Sequence, residues 1–355
     1  MNRTILAGTF AATAILLASC DTVSPVPVPD QGPSVWVLGQ KYGTTGSSSL
    51  DRISDGKIAA ATPPAGMPSH SNTGICVSNQ VLYLFDKNLG VVTGFDHGDF
   101  SKVTLDENVG ASANPYEAAS LNGAVWVARF GSSSLVALGS SGAHVDSIDL
   151  SAFDVGGATV PYMMAVKIWN NKLVVPVERL DANYGATDSS LVLVIDPTSH
   201  KIEKRILLPY RNPYDADLRG DKLALGCTGG WASTTDGGLA VVDLAGGTVV
   251  KAIPSSSLKG DPSSVAFTSD DRVWVGLDLG YPKTQALPVD LSSSKIGAVF
   301  ASATSVGDLA FDGTSLWIAN HDDNSPYVYE IDPATGFQKS CLLATLAPAE
   351  LAVLP

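Results

Sequence analysis

The chain has 355 residues, 35 acidic and 22 basic side chains and a formal net charge of −13. An acidic surface of this kind disfavours nucleic-acid phosphates and anionic headgroups as partners, and the length is ample for an apolar core. Charged residues make up only 16% of the chain and there are 34 glycines, which fits tight turns and a small-polar surface.

Residues 1–19 carry one basic residue, Arg3, and then an apolar run from Ile5 to Leu17. The run is too short to span a bilayer comfortably and ends in small residues, as a secretory signal does. The string "LASC" resembles the bacterial lipobox, which implies that Cys20 becomes the mature N-terminus and is lipidated. The alternative is a plain signal peptide cut nearby, with Cys20 incidental. Residues 20–33 continue as "CDTVSPVPVPDQGP", whose alternating prolines predict a semi-rigid extended tether. Asp21 resembles an inner-membrane retention signal. The expected location is therefore exported and membrane-anchored, facing the periplasm or the cell surface.

From residue 34 onward the chain repeats itself. Short apolar runs recur as "SVWVLG", "VLYLFD", "AVWVAR", "KLVVPV", "KLALGC", "RVWVGL" and "SLWIAN". Taking Trp36, Tyr83, Trp126, Val174, Leu223, Trp274 and Trp317 as markers, the spacings are 47, 43, 48, 49, 51 and 43 residues. Such a period, with β-rich runs that stop at Gly, Asp, Ser or Pro and no helical periodicity, predicts four-stranded propeller blades. Asp196, Asp243 and Asp332 end third strands, where an aspartate can bond its own backbone two residues on and turn the chain. The N-terminal segment supplies three strands of a blade without a first strand, and "LAPAELAVLP" at 346–355 supplies one without the rest. The prediction is an all-β, seven-bladed β-propeller over 34–355, its ring closed by the C-terminal strand joining the N-terminal blade.

The strings "NPYEA" at 114–118 and "NPYDA" at 212–216, with "LWIAN" and "VYEIDPATG", resemble the YVTN-type repeat of seven-bladed propellers, close to NHL-like bacterial propellers. Blade 1 departs with "SNTGI" and blade 3 with "VPYMMA"; no blade carries the WD dipeptide. The resemblance implies fold and leaves activity open.

Cys76, Cys227 and Cys341 fall in separate blades, so no disulfide is expected among them. The five histidines are scattered without metal-ligand spacing, and the familiar catalytic strings are missing. Stacking the repeats places Glu117, Met163, Asp215, Ser264, Asp308 and Glu350 at one position, the entry of the first strand. Glu117, Asp215, Asp308 and Glu350 would suit calcium at the axial mouth, or a cationic ligand against Tyr116, Tyr162 and Tyr214. The plainer alternative is that each acid bonds backbone amides nearby. On the same face blades 3 to 6 carry long loops with Arg179, Trp231, Tyr281 and Asp322 as candidate ligand contacts.

Taken together, these features predict a monomeric cell-envelope lipoprotein that binds a protein, glycan or small ligand through its loop-rich face. The alternative is a polysaccharide lyase or hydrolase using Arg129, Glu178 and His321.

Overall fold

The computed structural model describes residues 34–354 apart from 43–45, 62–66, 69, 97–98, 187, 231–235 and 281–282. The signal, the tether, Cys20, Trp231 and Tyr281 lie outside the described residues. Within them, seven four-stranded antiparallel sheets form the blades of a propeller. Blades 1 to 6 occupy 73–108, 115–149, 167–207, 213–254, 261–296 and 306–343. Blade 7 orders its strands as Pro348–Leu354, Ser34–Lys41, Ser47–Ser54 and Lys57–Ala60, so the last strand of the chain does pair with the first. All seven marker residues fall in second strands.

The burial pattern explains the sequence pattern. Second strands such as Val81–Asp86 are almost continuously buried, because neighbouring blades cover both of their faces. Fourth strands such as Ile202–Leu207 alternate, with one face in water. The core is divided accordingly: Trp126, Leu135 and Leu173 share one apolar cluster across blades 2 and 3, and Trp274, Leu309 and Ile318 share another across blades 5 and 6.

The third-to-fourth-strand turns close as predicted. Asp196 accepts from the Thr198 and Ser199 amides at 2.9 Å, Asp243 from Ala245 at 3.0 Å, and Asp332 from Ala334 at 2.8 Å. The cysteines lie in their expected strands and Cys76 and Cys227 are free thiols, but Cys341 stands in a disulfide. That corrects the expectation of three unpaired thiols. The reasoning was confined to Cys76, Cys227 and Cys341, and the second sulfur lies outside the described residues.

Candidate functional site

The site is built where first strands enter the propeller axis. In blades 2, 4, 5, 6 and 7 the pairing of first and second strands slips by one residue at that point. The extra residues are Tyr116, Tyr214, Ser263, Gly307 and Ala349, and all five line an axial cavity of about 640 Å³. A bulge re-aims the residue it frees. Here it turns two tyrosines toward the axis, and Tyr214 keeps 48% of its surface accessible.

The next residue in each of these strands is Glu117, Asp215, Ser264, Asp308 or Glu350, the position found by stacking the repeats. Each reaches across to the first strand of the following blade. Glu117 Oε2 accepts from the Val166 amide at 2.8 Å, Asp215 Oδ2 from Val265 at 2.7 Å, Asp308 Oδ2 from Leu351 at 2.8 Å and Glu350 Oε2 from Ile75 at 2.8 Å. Ser264 Oγ accepts from Leu309 at 3.0 Å. The acids are clamps between blades, each committed to its own boundary. Among the described residues no group of three or more His, Cys, Asp or Glu side chains is disposed to hold a metal ion, so the calcium expectation gains no ligand set from them.

Two lysines share the cavity wall with these acids. Lys87 Nζ lies 3.0 Å from Glu350 Oε1 and 3.9 Å over the centre of the Tyr116 ring. The pair fits because residue 74 is glycine: a Cβ there would stand 2.9 Å from Lys87 Cε and 3.2 Å from Glu350 Oε2. Deeper in, Lys167 pairs with Glu117. Burial works against the Lys167 ammonium, yet Glu117 and the nearby Asp215 and Asp217 hold it above the ordinary lysine range. Burial, reinforced by Asp215, pushes the Asp308 carboxyl up. Burial likewise raises the Tyr116 hydroxyl to about 12, so it remains a hydrogen-bond donor at neutral pH.

A second ring surrounds the mouth. In six of the seven blades an amide at the end of the second strand is donated to a carbonyl ahead of the same blade's first strand: Lys87 to Asn72 at 3.1 Å, Phe130 to Asn114 at 3.0 Å, Glu178 to Tyr162 at 3.0 Å and Thr228 to Asn212 at 2.9 Å, whereas Leu279 of blade 5 donates to Lys283. His321 to Ser305 at 2.6 Å and Gln40 to Ala347 at 2.8 Å complete the set. Gln40 Nε2 crosses to Thr73 O at 2.9 Å, and Tyr42 Oη donates to Gln40 Oε1 at 2.8 Å. The His321 ring meets Tyr42 edge-on at 5.3 Å, and burial pushes its imidazole toward the neutral form.

This register corrects the reading of blade 3. Tyr162 takes the place of Asn114 and Asn212, with φ of 58° against their 50° and 56°. The letters "PY" therefore sit two positions out of phase with those of blades 2 and 4. Met164, not Tyr162, lines the cavity, and the residue equivalent to Glu117 is Ala165 rather than Met163. Tyr162 is 6% exposed and packs between Phe130 and Tyr184, with ring centres 4.8 and 5.6 Å away.

The remaining candidates separate. Arg129 is bound to backbone, Nη1 to Val109 O at 2.6 Å and Nη2 to Ser134 O at 2.8 Å. Arg179 pins its own loop through Ser189 O at 2.7 Å and Asp188 at 2.8 Å. Asp322 caps a turn by accepting from the Asn324 amide at 2.9 Å. His321 lines the cavity, and Glu178 is buried, at 2% exposure. Gln40, Tyr42, Lys87, Lys167 and Asp217 belong to the cavity wall but escaped the sequence reading. The signal for Gln40 and Lys87 is their place just after a second strand; Tyr42 follows Gln40 by two residues.

No protein-family model and no curated relative matches this sequence. Among solved structures the chain is similar to the periplasmic gluconolactonase PpgL of Pseudomonas aeruginosa, at 14% identity and a TM-score of 0.60 over 91% of this chain and 99% of that one. It is also similar to the dihydro-heme d1 dehydrogenase NirN, at 15% identity and 0.58 over 92% and 76%, and to apo AztD from Citrobacter koseri, at 13% and 0.51 over 91% and 98%. At such identities the likeness carries architecture alone. On strand order, closure and these likenesses together, the chain is a seven-bladed β-propeller.

Proposed function

We propose that this is an exported, lipid-anchored binding module that takes a small hydroxyl-rich ligand at the axial mouth of its propeller. The observation that carries this reading is the axial cavity. Its size suits a small molecule, and its mouth combines the Tyr42, Tyr116 and Tyr214 rings with Gln40, Lys87, Glu350 and His321 as donors and acceptors. Mixed donors and acceptors beside ring faces match a ligand with many hydroxyls and apolar C–H faces.

Titration of the full chain with glucose and with N-acetylglucosamine tests it. Tyr214→Ala, at an accessible position, is expected to weaken the bound sugar by roughly tenfold or more, about 1.4 kcal/mol. Equal affinity in wild type and variant would remove the mouth from the reading.

Export is supported by the apolar leader. Intact mass of the exported protein tests the anchor: a diacylglyceryl group on Cys20 is the expected result, and an unmodified Cys20 would overturn it.

A further inference from the structure

Beside the mouth, the rings of Tyr116, Phe130 and Tyr184 form a line of contacts backed by the buried ring of Tyr162. Tyr116 meets Phe130 at 5.8 Å, Phe130 meets Tyr162 at 4.8 Å, and Tyr184 lies 6.3 Å from Phe130 with its plane within 8° of parallel. The rings run from the cavity wall out over blade 3, and Tyr184 at the outer end is 62% exposed.

This surface is held in place. Tyr162 packs with Leu180 and Ala186 in a small apolar cluster of its own, supported by Phe130, Ala158 and Val160. The Asp181 carboxylate accepts from the Asn183 amide at 2.8 Å and from Gly185 at 2.9 Å, closing the turn that presents Tyr184. Tyr184 itself adopts φ of 61°, a left-handed conformation that a non-glycine residue keeps only when its surroundings hold it. An exposed aromatic fixed in this way loses little further freedom on binding.

Unpaired acceptors flank the rings. Among the described residues Asp154 Oδ1 and Glu178 Oε1 are buried without a hydrogen-bond partner, and both carboxyls, with Asp181, lie within electrostatic reach of the Tyr162 hydroxyl. Buried polar atoms left unpaired call for an explanation, and a ligand bearing O–H or N–H donors supplies one. A purely apolar partner would leave these oxygens unanswered. A sugar ring offers both parts at once, C–H faces for the aromatic rings and hydroxyls for the acceptors.

Resting on the reading of the mouth as a site for a hydroxyl-rich ligand, we infer that the ligand is an oligosaccharide. One unit sits at the axial mouth and the chain continues across Tyr116, Phe130 and Tyr184.

Calorimetric titration of the full chain with N-acetylglucosamine, glucose and their β-1,4-linked tetramers tests this. In the wild type a tetramer is expected to bind roughly tenfold or more tightly than its monomer. Tyr184→Ala is expected to abolish that gain while leaving the monomer's Kd unchanged, because Tyr184 stands outside the mouth. Circular dichroism of the Tyr184→Ala variant confirms the fold. A monomer that binds while the tetramer binds no better, or a Tyr184→Ala variant with full tetramer affinity, overturns the oligosaccharide surface and leaves the mouth standing. Failure of every sugar to bind, with binding instead of a tyrosine-contacting peptide, overturns both.

Discussion

Removing residues 348–355 is expected to abolish cooperative folding. The strand Pro348–Leu354 pairs with Ser34–Gly39, slipping by one residue at Ala349, and Ser34–Lys41 is buried at all but its last position. Its loss removes the buried side chains of Leu351, Ala352 and Leu354 and strips the ladder from the inner edge of blade 7. It also removes Glu350, which clamps Ile75 of blade 1, and the Leu351 amide that Asp308 of blade 6 engages. Apolar burial and ladder bonds together amount to on the order of 10 kcal/mol, comparable to the whole net stability of a domain at about 5–15 kcal/mol. Urea titration followed by circular dichroism should show no sigmoidal transition in the truncated chain. A transition with the wild-type midpoint would mean the ring does not depend on this closure.

The second large effect runs in the opposite direction. Glu178→Leu is expected to stabilise the protein by about 1–3 kcal/mol at pH 8. Glu178 is 2% exposed, its Oε1 has no partner, and burial alone pushes its carboxyl well above the ordinary glutamate range. The folded state therefore holds a proton that the unfolded state releases. For a group raised in this sense, stability is undiminished below the unfolded value of about 4.5 and declines as pH rises above it. Leucine has no such decline, so the advantage of the variant should shrink between pH 8 and pH 4.5. Paired urea midpoints at the two pH values check it. An advantage that grows on acidification would mean that Glu178 is ionised and paired. A residue kept at a cost to stability points to a role in function, and its place behind the aromatic surface is consistent with one.

The fold was legible because a propeller writes itself as a repeat. The period of the second strands, the turn aspartates at 196, 243 and 332 and the two incomplete ends each follow from local chemistry, and all reappear in the structure. The acidic position was legible too, since Glu117, Asp215, Asp308 and Glu350 occupy equivalent sites. Its role was not. Whether a carboxylate faces a cation or a neighbour's amide depends on the next blade, which lies 49, 50 and 43 residues away in sequence for the Val166, Val265 and Leu351 partners and 275 residues away, across the ring closure, for Ile75.

Blade 3 misled for a different reason. The letters around Tyr162 imitate the motif of blades 2 and 4, but the left-handed residue that opens the strand is Tyr162 itself. Asparagine adopts that conformation readily and marks it in sequence, whereas tyrosine does not. Lys87, Phe130 and Gln40 went unnoticed because they sit among ordinary loop residues. Only the shared amide bond to the residue before each first strand reveals that they ring the mouth.

Hydrogen exchange of the full chain, with and without saturating N-acetylglucosamine, tests the central claim most directly. The account predicts slowed exchange in 72–76, 114–118, 212–216 and 348–351, the segments whose amides frame the axial mouth, and no change in the fourth strands at the rim. Protection confined to the outer strands, or to the face opposite the mouth, would contradict it.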